Sequence, residues 1–131
     1  MQFARSWQRN GRPTTADPIV RQQLAQAVIE CDVMKYTADR SLTKTLRGGA
    51  PGPEGSMEKL FWSEMYQRML ENAVHLAGPF GQLLEGSPYA PMVGIWPYLM
   101  MYSKGRTIAA GTSEIQRNII AKRVLGLPRG K

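Results

Sequence analysis

The 131-residue chain has a single cysteine, Cys31, and a single histidine, His75. One cysteine excludes an internal disulfide, and nothing in it points to an oxidising compartment. No apolar run approaches the ~18–20 residues needed to cross a bilayer; the longest, Val93 to Tyr102, is too short and is interrupted by Pro97. The opening MQFARSWQRNGRP carries charge with no apolar stretch behind it, so it lacks the pattern of a signal peptide. The residues read as a soluble cytoplasmic protein without membrane insertion. Strand formers are thin between the Pro and Gly breaks, and no metal-ligand spacing is present.

Acidic residues are also scarce, with 10 Asp and Glu against 17 Lys and Arg, for a formal charge of +7. The excess is local. Lys104, Arg106, Arg117, Lys122, Arg123, Arg129 and Lys131 are answered after residue 103 by Glu114 alone. Such a tail suits an anionic partner, whether nucleic acid or a phosphorylated cofactor or thioester. A solvated helix face explains the same charges. A nucleic-acid reading rests on charge alone and has no base-reading residues behind it, so no nucleic-acid partner is expected.

The apolar residues fall at helical spacing. Residues 1–16, with RNGRPTTAD, are expected to be irregular. Asp17-Pro18 then reads as a helix start, Asp at the cap and Pro where its missing N–H is harmless. Val20, Leu24, Ala27, Cys31, Met34, Ala38 and Leu42 form one stripe, and Gly48-Gly49 ends it. A second helix is predicted from between Pro53 and Ser56 to about Leu76, burying Met57, Phe61, Met65, Met69 or Leu70, Ala73 and Leu76. The spacing of its methionines suits core packing. GPFGQLLEGSPYAP at 78–91 reads as a long loop, followed by a short helix through Trp96 to Ser103. Thr112 caps a last helix whose expected buried face is Ile115, Ile119, Ile120 and Val124, ended by Gly126 and Pro128. The fold class is all-α, an up-and-down bundle of three to four helices occupying residues 17–131.

The informative stretch is Thr107 to Arg129, TIAAGTSEIQRNIIAKRVLGLPR. Ala109, Ala110 and Gly111 have almost no side chain, so a flat ligand can approach the backbone. Thr112, Ser113 and Glu114 open a helix whose free N–H groups favour an anion or a ligand oxygen. An ordinary capped helix after a tight turn reads the same way.

This stretch closely resembles the C-terminal signature of the acyl-CoA dehydrogenase family, in bacterial, actinobacterial-type members acting on fatty acyl or steroid acyl-CoA. The matching residues are Gly111-Thr112-Ser113-Glu114-Ile115-Gln116-Arg117 and Arg123-Val124-Leu125-Gly126-Leu127-Pro128. The resemblance implies FAD as cofactor, an acyl-CoA substrate, an electron-transfer acceptor and a homo- or hetero-oligomer. It implies the C-terminal helical part of a much longer protein, without the β-domain that holds the flavin ring and without the bundle's first helix. Thr112, Ser113 and Glu114 match cofactor positions, and Gly111 matches a position against the acyl thioester. His75, Leu76, Ala77, Gly78 and Pro79 match, more loosely, a loop that reaches the FAD of the neighbouring subunit. A histidine at a helix end is also a common C-terminal cap. The family's upstream arginine-phenylalanine-glycine cofactor motif has no counterpart in PTTADPIVRQQ.

The departure is Ala110. Many members carry the catalytic glutamate there, the base that removes the α-proton, and alanine accepts no proton. A positioned general base is worth ~10²–10⁴-fold in rate, so no catalytic residue is assigned in this chain. The resemblance leaves two explanations: a base on an earlier helix outside this sequence, or a non-catalytic partner in a heteromeric enzyme. Glu114 does not substitute, because it matches a cofactor position. Trp96, Tyr98 and Tyr102 are candidates to line an acyl or adenine pocket or simply to pack, and Arg117, Lys122 and Arg123 to face phosphates or solvent. A bundle lacking one helix is expected to expose an apolar face and to self-associate.

Overall fold

A computed structural model describes residues 2–50 and 52–128. The helices are α1 (Gln2–Ser6), α2 (Pro18–Leu46), α3 (Glu54–Ala77), α4 (Ile95–Arg106) and α5 (Ser113–Ile119), the last continuing as a π turn over Ile120–Val124. Arg129 and Lys131 of the basic tail lie outside the described residues. α2 starts as its residues require: the Asp17 carboxylate accepts the Ile19 N–H at 2.8 Å, with Pro18 at the first helical position. A cap of this kind is worth about 1 kcal/mol.

α3 packs against α2, α4 and α5 in turn. Side-chain pairs give the directions. Lys44 meets Glu54 at 2.7 Å, Ser41 meets Glu58, Cys31 meets Met69 at 4.0 Å, and Glu30 meets Arg68 at 2.9 Å. One number falls as the other rises, so α2 and α3 are antiparallel. Lys59 donates to the Thr107 carbonyl at the end of α4 at 3.3 Å and Gln67 to the Ser103 carbonyl at 3.0 Å, which makes α4 antiparallel to α3. Lys59 reaches Gly111 and Glu64 reaches Arg117, so α5 runs the same way as α3. This is the up-and-down order of the expected bundle. Exposed pairs contribute only about 0–1 kcal/mol each; they fix register more than they hold the fold.

The apolar core follows α3, through Met65, Leu70, Val74, Leu76 and Ala77. Ser63 and Ser103 are fully buried, and each hydroxyl bonds back to its own helix, to the Leu60 and Met100 carbonyls. α2 by contrast buries only Val20 and Glu30. Of its predicted stripe, Leu24, Ala27 and Met34 are half-buried, while Cys31, Ala38 and Leu42 are exposed. Ile29, Val33 and Tyr36 are exposed on the same helix.

The first 16 residues correct the expectation of irregular chain. After α1, a two-stranded hairpin pairs β1 (Gln8–Arg9) with β2 (Arg12–Pro13), and a 3-10 turn covers Thr14–Ala16. Asn10 and Gly11 make the turn with φ of 53° and 72°, the two positive values of a type I′ turn. Ala4 joins Val20 and Leu76 in a core cluster, so this segment belongs to the domain and does not precede it. The 78–91 loop is also more ordered than expected, with 3-10 turns at Gly78–Gln82 and Pro91–Gly94.

Gly81 is buried where this loop doubles back on α3. A Cβ there would lie 2.3 Å from the Val74 carbonyl oxygen. Backbone cannot yield as a flexible side chain does, so Gly81→Ala is expected to destabilise by roughly 1–3 kcal/mol, as overpacking does. Urea unfolding of the purified chain checks this; an unchanged midpoint refutes it.

Candidate functional site

The predicted bend begins where α4 stops. The Ile108 and Ala109 N–H groups both bond the Gly105 carbonyl, at 3.1 and 2.9 Å. Ala110 and Gly111 then take φ of 56° and 95°. Gly111 is required twice over: its φ is one that side-chain-bearing residues rarely adopt, and a Cβ there would sit 2.8 Å from Gln116 Nε2. Ala110 tolerates its left-handed backbone at a cost of about 1–2 kcal/mol. Ile108, Ala109 and Ala110 are exposed, so the bend faces solvent on one side.

Its other side is bonded to the bundle. Lys59 on α3 donates to the Gly111 carbonyl at 2.6 Å and the Thr107 carbonyl at 3.3 Å. Gln116 on α5 is buried and donates to the Ala110 carbonyl at 2.8 Å. Gln67 on α3 holds the Thr107 hydroxyl at 3.1 Å. Neutral hydrogen bonds contribute a net ~0.5–1.5 kcal/mol each and charged ones more, enough to offset the backbone strain.

At the start of α5 the Thr112 hydroxyl accepts the Ile115 N–H at 3.3 Å, as a cap should. Thr112 is half-buried, Ser113 buried and Glu114 exposed. The Glu114 carboxyl is held below the ordinary glutamate value of 4.5 by its own backbone N–H and by the Thr112 hydroxyl, with Arg117 adding charge from 3.5 Å. The predicted buried face of α5 needs correction: the buried residues are Ser113 and Gln116, while Ile115 and Val124 are exposed and Ile119 and Ile120 half-buried. The short helix turns its polar side to α3 because Gln116 is needed under the bend. Arg117 is engaged with Glu64 and Glu114. Lys122 and Arg123 border an open groove with Ile115, Ile119 and Leu127.

The second predicted segment lies at the other end of α3. Sixteen residues separate Lys59 from His75, about 24 Å along the axis at 1.5 Å per residue. One chain therefore does not bring the two segments together. His75 and Pro79 are exposed, Gly78 is half-buried, and Leu76 and Ala77 are core residues whose side chains face inward. Arg9 of the hairpin caps this helix end, donating to the His75 and Leu76 carbonyls at 2.7 and 3.4 Å. Lys59 and Arg9 escape a reading of the sequence by motif, since their partners lie 52 and 66 positions away, while Gln116 stands inside the matching run without its bond to Ala110 being legible there.

The aromatic candidates separate. Trp96 packs edge-on to Phe3 with ring centroids 4.1 Å apart and lines an apolar groove of about 350 Å³ with Phe3, Val20, Leu24, Ala27 and Met69. Tyr98 and Tyr102 stack on each other at 6.3 Å on the surface, and the Arg106 guanidinium lies 4.8 Å from the Tyr102 ring. Among the described residues they do not line the Trp96 groove.

The family described as acyl-CoA dehydrogenase, C-terminal domain, matches residues 1–125, and the chain belongs to it. Acyl-CoA dehydrogenase IpdE1 of Mycolicibacterium smegmatis is 35% identical over 113 residues, spanning 86% of this chain and 26% of that protein. IpdE1 of Mycobacterium tuberculosis is 34% identical over 116 residues, covering 86% of this chain and 28% of the relative. Among solved structures, the ChsE4-ChsE5 complex from Mycobacterium tuberculosis superposes with a TM-score of 0.84 at 24% identity, over 99% of this chain and 33% of that one. An acyl-CoA dehydrogenase from Geobacillus kaustophilus gives 0.70 at 26% identity, over 92% and 30%. The chain thus spans between a quarter and a third of the proteins it matches.

Two results are expected from the bend. Ala110→Gly relieves left-handed strain and stabilises by about 0.5–1 kcal/mol, while Gly111→Ala destabilises by more than that; equal signs in urea unfolding contradict this account. A carboxyl whose folded pKa is depressed contributes stability above its unfolded value and loses it as pH falls through the folded one. Thr112→Val removes one cause of the Glu114 shift. Its NMR titration midpoint is expected to start below 4.5 and rise in the variant; a midpoint that does not move removes Thr112 as a cause.

Proposed function

We propose that this chain is the C-terminal helical domain of an FAD-dependent acyl-CoA dehydrogenase, contributing cofactor and subunit contacts and inactive by itself. The observation that carries this reading is the Ala110–Gly111 bend, exposed at Ala110 and half-buried at Gly111, held from below and followed directly by Thr112, in a chain of this family. The bend fits the flat edge of a nucleotide or thioester, because its outer side has only methyl groups and a glycine. FAD, when bound, supplies the acceptor for the hydride that leaves the β-carbon of an acyl-CoA. Thr112 and Glu114 would meet it with side chains and Ser113 with backbone, while Gly111 lies against the thioester. His75, Gly78 and Pro79 would reach the cofactor of a neighbouring subunit, with Leu76 and Ala77 fixing them from the core.

Ala110 takes no proton at the family's glutamate position. The α-proton therefore goes to a base outside this sequence, on an earlier helix or on a partner chain. An electron-transfer acceptor removes the electrons afterwards, and a cytoplasmic setting is consistent with this chemistry. A second reading is supported by the exposed apolar residues of α2 and the groove beside them: a non-catalytic partner module of a heteromeric acyl-CoA dehydrogenase. In both readings the chain works in a homo- or hetero-oligomer.

Isolated under mild conditions with whatever it assembles with, the protein is expected to show flavin absorbance that bleaches when acyl-CoA is added. The 14.6 kDa chain alone should give no turnover. An intact assembly without flavin overturns the first reading. A clean monomer by light scattering at all concentrations, with no partner in the preparation, overturns the second.

A further inference from the structure

The Lys59 side chain spends its donors on backbone. A lysine ammonium is a compact charge with three rotatable donors. Lys59 forms no ion pair among the described residues and reaches two carbonyls, those of Thr107 and Gly111, which bracket the bend. Gln116 takes the carbonyl between them, that of Ala110. Across a trans peptide the carbonyl and the next N–H point in opposite directions. With the Ala110 and Gly111 carbonyls drawn inward, the Gly111 and Thr112 N–H groups face outward, and neither meets an acceptor among the described residues.

We propose that Lys59 and Gln116 are positioning residues that set the bend in its left-handed, outward-donating form and so keep the cofactor-facing surface in shape. This rests on the reading of the bend as a cofactor surface. It assigns a role to α3, which carries no residue of the signature. The two residues act independently, one from α3 and one from α5, yet on successive peptide groups. Losing either frees one carbonyl to rotate, and the N–H of the following residue rotates with it. The side chains need not touch the ligand for its binding to depend on them.

The test uses the complete chain in its native assembly, with Lys59→Met, Lys59→Arg and the isosteric Gln116→Glu. Each is followed by far-UV circular dichroism, tryptic cleavage after Arg106, and titration with FAD read by flavin fluorescence. Lys59→Met and Gln116→Glu are expected to keep their helix content, to be cut after Arg106 at least fivefold faster, and to bind FAD about tenfold more weakly. Lys59→Arg keeps a donor in place and should recover most of the FAD affinity. Wild-type cleavage rates in both disruptive variants overturn the proposal, as does unchanged FAD affinity with faster cleavage. Should Lys59→Met lose its helices, Gln116→Glu decides by the same measures. Failure of the wild-type assembly to bind FAD overturns the functional reading instead, and cleavage after Arg106 still decides whether the two residues hold the bend.

Discussion

Everything in this domain depends on α3. It is the helix that α2, α4 and α5 all pack against, and it carries most of the core. Its apolar side chains supply the burial, while its polar ones fix where each neighbour sits: Glu54 and Glu58 set α2, Gln67 and Glu71 set α4, Lys59 and Glu64 set α5. Burial alone is non-directional. A bundle held only by apolar contact could slide by a turn. The polar pairs along α3 make one register better than its neighbours, and that register places the bend between α4 and α5.

The helices were legible in the sequence because each carries its own punctuation. Asp17-Pro18, Gly48, Gly78 and Thr112 mark ends through local chemistry that needs no tertiary contact. The hairpin was legible in principle, since Asn10-Gly11 is the strongest two-residue turn signal, but no alternating apolar residues flank it. What the sequence could not give was which face of a short helix turns inward. Ile115 and Val124 look like core by spacing, yet Gln116 occupies the inside because three residues far apart must converge on the bend. α2 misleads in the opposite way: its stripe is well formed, but among the described residues α3 packs along it while α1 meets only its first turns.

The candidate site divides along the same line. The signature around Gly111 could be read as a string, and the structure places Ala109 and Ala110 on the surface, Gly111 half-buried and Ser113 inside. The loop after α3 could be aligned only loosely, and its five residues split between core and surface. Lys59 and Arg9 had no local signal at all, and Gln116 had only its place in the signature. Their importance comes from the carbonyl groups they bond, and carbonyls are common to every residue, so no residue type announces such a partner.

The placement of the two segments proposed to meet the cofactor, at opposite ends of α3, has a consequence for any ligand that uses both. Such a ligand is shared between chains, so it links them, and they in turn retain it. Its apparent affinity is then tied to protein concentration by mass action. Dilution that parts the chains also releases the ligand, and an excess of ligand favours the assembled form.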